Sequence, residues 1–226
     1  VPFALAPFLP RAPDAPWLRD LPRQVPDAGV READGVGEAL ILLDGTPSAV
    51  RQLYATSQHH RLRAQLVWSA LGRWLWRRAR RWWFDGARQL QLPLADGDLA
   101  LREQVLASGD ERWWLRRCGD DTLYAARYDA VAIDGTPWLR VTLPCPDGVL
   151  VSMLAPRVGP DRLQWLQAER PGGMYLVPHD RPARRVPWLG EDIELAPVRG
   201  GVAARHRLTL GGRVLVSTHT LHERSR

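Results

Sequence analysis

The run Arg127-Tyr-Asp-Ala-Val-Ala-Ile-Asp-Gly-Thr-Pro-Trp-Leu139 leaves a folding chain few options. Tyr128, Ala130 and Ala132 alternate with Asp129, Val131 and Ile133, the period of two that a pleated strand requires. Asp134-Gly135 then signals a tight hairpin turn, because glycine reaches positive φ without a Cβ clash. Pro137 and Trp138 open the returning strand, Trp138 to Leu143. The same texture extends in both directions. Gln89–Leu94, Leu99–Leu106 and Arg112–Arg117 read as strands upstream, and Ala203–Leu210 and Arg213–Leu221 form a closing hairpin around Gly211-Gly212. Connections this short between strands imply antiparallel neighbours.

The remainder is read as arm, helix and loop. Residues 1–27 carry Pro2, Pro7, Pro10, Pro13, Pro16, Pro22 and Pro26, which forbid a continuous helix and favour an extended arm. Phe3, Leu5, Phe8, Leu9 and Trp17 are available to tack that arm onto the body. After the apolar run Ala39–Leu43, Thr46 is expected as a helix N-cap with Pro47 at the first helical position, and Val50, Leu53 and Tyr54 on the helix. Residues 59–84 interleave Leu62, Leu66, Trp74, Leu75 and Trp82 with Arg73, Arg77, Arg78, Arg80 and Arg81, at helical spacing. Such a helix either buries its apolar face in a core or lies on an anionic membrane or nucleic acid. Gly159–Ala168 reads as a short helix with Leu163 and Leu166 inward, and Pro171-Gly172-Gly173 as a turn that admits close backbone approach.

A chain of 226 residues can bury a real core as one large domain. Its net charge of +6 comes from arginine and suits anionic partners without choosing among them. Cys118 and Cys145 lack metal-ligand spacing and are too few for a disulfide framework, which fits a reducing, cytoplasmic setting. No apolar run reaches membrane-spanning length. The start at Val1, with no initiator methionine and no leader pattern, reads as trimmed or engineered. Arg127, in apolar company, is either a snorkelling surface residue or a fixed cation for an anionic ligand.

Several segments together resemble the chorismate lyase family, whose fold also serves as the effector-binding UTRA domain of transcription regulators. They are Arg127 through the Asp134-Gly-Thr-Pro-Trp-Leu139 motif, Arg102-Glu103, Gly159-Pro160-Asp161, Pro171-Gly172-Gly173 with Tyr175-Leu176, and Arg207 to Thr218. The resemblance covers roughly residues 40–57 and 99–222. It implies an α+β domain: one antiparallel sheet of about six strands, helices packed on one side, and flap-like helices over a ligand cavity. Residues 39–226 would form that domain, with a Trp/Arg-rich helical insertion at about 59–86 and a Pro-rich arm at 1–38.

The activity the resemblance implies is cleavage of chorismate to 4-hydroxybenzoate and pyruvate, toward ubiquinone, with no metal or organic cofactor. Arg127 would grip a substrate carboxylate bidentately, with Arg140, Pro47 and the backbone at Gly172 and Gly173 also contacting the ligand. His219 stands where the family places an active-site glutamate. It is expected either as a general acid in its place or as a polar residue in a repurposed pocket. The alternative is a non-catalytic, UTRA-like module for an aromatic carboxylate. The partner is expected to be a small anionic molecule, with membrane-surface contact through the Trp/Arg helix open and nucleic acid disfavoured. His219 and His222 fall on opposite strand faces and make a poor metal pair.

Overall fold

The structure, a computed structural model, describes residues 8–12, 15–26, 29–37, 43–83, 92–119, 121–145, 148–167 and 171–224. In chain order these form β1 (Arg31–Glu32), α1 (Ser48–Thr56), β2 (His60–Trp68), α2 (Ala70–Trp83), β3 (Gly97–Leu99), β4 (Leu101–Ser108) and β5 (Glu111–Cys118). β6 (Asp121–Ile133), β7 (Thr136–Cys145), β8 (Gly148–Gly159), β9 (Arg162–Leu166) and β10 (Gly173–Pro178) follow. The chain closes with β11 (Arg184–Arg185), β12 (Leu189–Val198), β13 (Gly201–Leu210) and β14 (Arg213–Arg224). The Asp134-Gly135 turn forms as expected. Both residues lie in the left-handed region, at φ 49° and 75°, and join β6 to β7.

The strands pair in the order β1-β4-β5-β6-β7-β8-β9-β12-β13-β14-β2-β3, with β10 and β11 branching from β8. Long β8 belongs to two sheets. Its first half, through Leu154, pairs with β7, and Gly148 to Met153 also pair with β10, whereas Ala155 to Gly159 pair with β9. The path therefore bends at β8 and rolls round until β4 approaches β2 and β14. Inside the roll, Val50, Leu53 and Tyr54 of α1 pack with Trp114, Leu139, Leu154 and Trp165. The N-terminal arm lies on the outside of the first sheet, where Trp17 meets Tyr175 edge-on at 4.9 Å and Val25 packs by Trp113.

This corrects the expected architecture. Instead of about six strands with helices on one side, fourteen strands and only two α-helices form among the described residues. Two stretches read as helix account for much of the difference. In β2, Leu66 and Trp68 point inward with Ala64, while Arg61, Arg63 and Gln65 point out. That period of two was hidden because Leu62 and Leu66 also satisfy helical spacing, and the ladder to β14 decides the matter. Residues 162–166 likewise form a strand, with Leu163 and Trp165 buried against β12. The helix α1 begins at Ser48 with Pro47 as its N-cap, one residue later than expected. Of the runs Ala39–Leu43 and Gln89–Leu94, residues 39–42 and 89–91 lie outside the described residues, and Leu92–Leu94 form no strand. Among the described residues no helix is long and apolar enough to cross a membrane.

Candidate functional site

Of the residues singled out from the sequence, Arg127 and Arg140 come together on Asp129, but they do not meet His219 or the glycines. Arg127 is 8% exposed and sits on the outer face of the first sheet, opposite the core face that carries Ala126 and Tyr128. Its Nη1 donates to Glu111 Oε1 at 2.6 Å and its Nε to Asp129 at 2.9 Å. Arg140 shares Asp129 at 3.0 Å and donates to the Trp17 carbonyl of the arm. Both arginines are thus occupied by groups of the chain itself.

His219 is exposed on the outer face of β14, with Nε2 3.0 Å from the Ser217 hydroxyl. Gly172 accepts a hydrogen bond from Arg185 through its carbonyl. Gly173, at φ 137°, faces the Arg185 and Gln167 side chains. The Pro47 carbonyl accepts from the amides of Val50 and Arg51. Among the described residues, no hydrogen bond or ion pair links His219 to Arg127, Arg140 or the glycines. The opposite facing of His219 and His222 does hold: His222 is buried inside the roll.

The polar chemistry of the molecule gathers on the inner face. Strand pairing places Glu103 opposite Arg116 and Arg116 opposite Tyr124, so alternate residues of β4, β5 and β6 meet inside. Arg116 Nε donates to Glu103 Oε1 at 2.8 Å, and the Glu103 carboxylate is 2% exposed. His222 Nδ1 closes on Glu103 Oε2 at 3.3 Å, without the alignment of a hydrogen bond. The guanidinium lies over the Trp114 ring, 4.9 Å from its centroid. Burial pushes the Glu103 pKa up, but Arg116 and His222 outweigh it and hold the group below its ordinary value. Arg116 is in turn pushed up by Glu103 against the cost of its own burial.

Deeper along the same face, the Tyr124 and Tyr128 hydroxyls are 2.6 Å apart. Burial raises both phenol pKa values, so both are neutral donors and acceptors. Glu191, 3% exposed, stands with His206 Nε2 2.6 Å from its Oε1 and with the Ser152 hydroxyl beside it. Burial alone would favour its protonated form; His206 and Ser152 reverse that and lower its pKa. His206 itself is 22% exposed. It is flanked on the inner face by Thr218 and Leu208, both part-exposed, while Tyr124 and Leu150 are part-exposed across the fold.

The sequence did hold a signal for these residues. Glu103 lies in phase with buried Val105, Glu191 with Ile193 and Leu195, and His222 with Thr220. A charged residue on the apolar phase of a strand is costly unless partnered, so each was a candidate. Compared with family models, curated protein sequences and solved structures, the chain shows no match.

Proposed function

We propose that the protein is a binding protein that takes a small, uncharged, hydroxyl-bearing molecule onto the inner face of its roll, at Glu191, His206, Ser152 and Tyr124. The observation that carries this reading is a carboxylate only 3% exposed, in contact with a histidine that is 22% exposed and opens the group toward solvent. Buried ion pairs are weak sources of stability, because apolar side chains of similar volume do as well or better. A set of them converging from several strands, with shifted pKa values, therefore favours a functional role.

The charge balance supports an uncharged ligand. The buried guanidinium of the inner face, Arg116, is matched by Glu103, and Glu191 has only His206 against it. Among the described residues, an anionic ligand there would meet two carboxylates and no surplus fixed cation. The chorismate lyase and aromatic-carboxylate readings rely on Arg127 as anion receptor, and Arg127 already holds Glu111 and Asp129 on the opposite face. Neutral hydroxyls, by contrast, can donate to Glu191 and exchange hydrogen bonds with the tyrosine pair. The thiols Cys118 and Cys145, which form no disulfide, fit a cytoplasmic setting.

The test is thermal melting of the full chain against a panel of monosaccharides and linear polyols, with chorismate and 4-hydroxybenzoate alongside. A neutral panel member should raise the melting temperature of the parent protein and not of Glu191→Gln. A rise with 4-hydroxybenzoate that disappears in Arg127→Ala would overturn the proposal in favour of the carboxylate reading, and pyruvate release from chorismate would restore the lyase.

A further inference from the structure

A second surface carries different chemistry, and it stands whether or not the inner face takes a ligand. Among the described residues, the exposed large apolar side chains include Val67, Leu71, Trp74, Trp188 and Val214. Of these, Leu71 and Trp74 lie on α2, which packs against β14. The Ser69 amide donates to Leu215 at 2.9 Å, and a Cβ on Gly72 would meet the Leu215 carbonyl at 2.0 Å. Glycine there lets α2 lie directly on the start of β14. Val214 opposes Thr209 beside the hairpin tip, where the Gly211 amide donates to the Trp188 carbonyl at 2.7 Å.

The two sides of α2 differ in kind. Inward, Trp76 packs on Trp68 with ring centroids 5.7 Å apart and donates to the Leu92 carbonyl. Outward, Leu71 is 40% and Trp74 57% exposed. Residues three and four apart share a helix face, so Arg77 and Arg78 flank Trp74, and the Arg78 guanidinium sits 5.8 Å from the Trp74 ring centroid. The helix sequence holds five arginines and no acidic residue. Of these, Arg73 is ion-paired with Asp96.

We infer that this end of the roll docks on an anionic lipid bilayer, with Leu71 and Trp74 at the headgroup–acyl boundary and Arg77 and Arg78 against lipid phosphates. Indole rings favour that boundary, and basic residues beside them gain from the negative surface potential. A polyanion without an apolar phase, such as single-stranded nucleic acid, would use the indole and the arginines. It would leave Leu71 in water, whereas a bilayer removes it. Lipid is therefore the occupant that uses Leu71, Trp74 and the two arginines together.

Co-sedimentation of the full chain with vesicles tests this. Binding is expected to vesicles of phosphatidylcholine mixed with phosphatidylglycerol and not to phosphatidylcholine alone. Arg77→Gln and Arg78→Gln should each weaken partitioning about fivefold. Trp74→Ala should weaken it also, with the melting temperature of all three variants unchanged. Absence of binding to the anionic vesicles, equal binding to neutral ones, or vesicle binding indifferent to Trp74→Ala would each overturn the inference. So would displacement from vesicles by a single-stranded oligonucleotide that binds Trp74→Ala as well as the parent.

Discussion

The first sheet carries a buried charge network on each face, and the two are built to different standards. On the outer face Glu111, Arg127, Asp129 and Arg140 form a chain of short contacts that ends on the Trp17 carbonyl of the arm. Its carboxylates are 38% and 21% exposed, so water completes their solvation. On the inner face Glu103 and His222 are 2% and 1% exposed and meet at a poor angle, and among the described residues the Trp114 indole N–H has no acceptor. The outer network is closed by the chain and fastens the arm. Among the described residues, the inner network leaves polar capacity unspent where water is excluded. High burial of an arginine thus accompanies full pairing on one face and incomplete pairing of its neighbours on the other.

The comparison breaks first at Arg116. Arg116→Met strands a buried carboxylate and should cost about 3–5 kcal/mol in urea unfolding. Adding Glu103→Gln should recover much of that loss, and a single-variant cost under about 1 kcal/mol would mean the inner pair is not desolvated. Arg127→Met, whose carboxylate partners stay wetted, should cost less, about 1–3 kcal/mol. It should leave any ligand-induced rise in melting temperature intact. Loss of that rise would make the outer face the site.

Acid sharpens the same contrast. Glu103 and Glu191 have pKa values depressed on folding, so their stabilisation is full above the ordinary glutamate value of about 4.3. It is lost as pH falls through their lower folded values. Stability measured from neutral pH downward should hold until that range and then fall, and the double variant Glu103→Gln/Glu191→Gln should flatten the acid limb.

Trp17→Ala, which removes the arm's contact with Tyr175, should cost about 1–2 kcal/mol. His219→Ala, exposed on the outer face, should change stability by no more than about 0.5 kcal/mol. A larger loss there would show that β14 depends on its outward side chains.

Strand pairing was legible wherever a turn residue and a period of two coincided. Asp134-Gly135 and Gly211-Gly212 both mark hairpins that form. Legibility failed where two periods fit the same letters, as in residues 60–68, and where Gly159-Pro160-Asp161 read as a helix start but serves as a hairpin turn. The site was misread for a related reason. Arg127 sits between Ala126 and Tyr128, but immediate neighbours in a strand face opposite ways, and its polar company on its own face is Glu111 and Asp129.

What the sequence determined by itself is local: antiparallel hairpins, a proline-rich arm, a short helix through Val50, Leu53 and Tyr54, and an arginine-rich helix, read from residue 59 although it begins only at Ala70. These follow from backbone restrictions and side-chain periodicity, which act over a few residues. Only the tertiary structure decided that β8 would serve two sheets and that the strand path would roll until Glu103 met His222. That closure joins residues more than a hundred positions apart. Which charges become buried together depends on that curvature, and no local pattern in the chain encodes it.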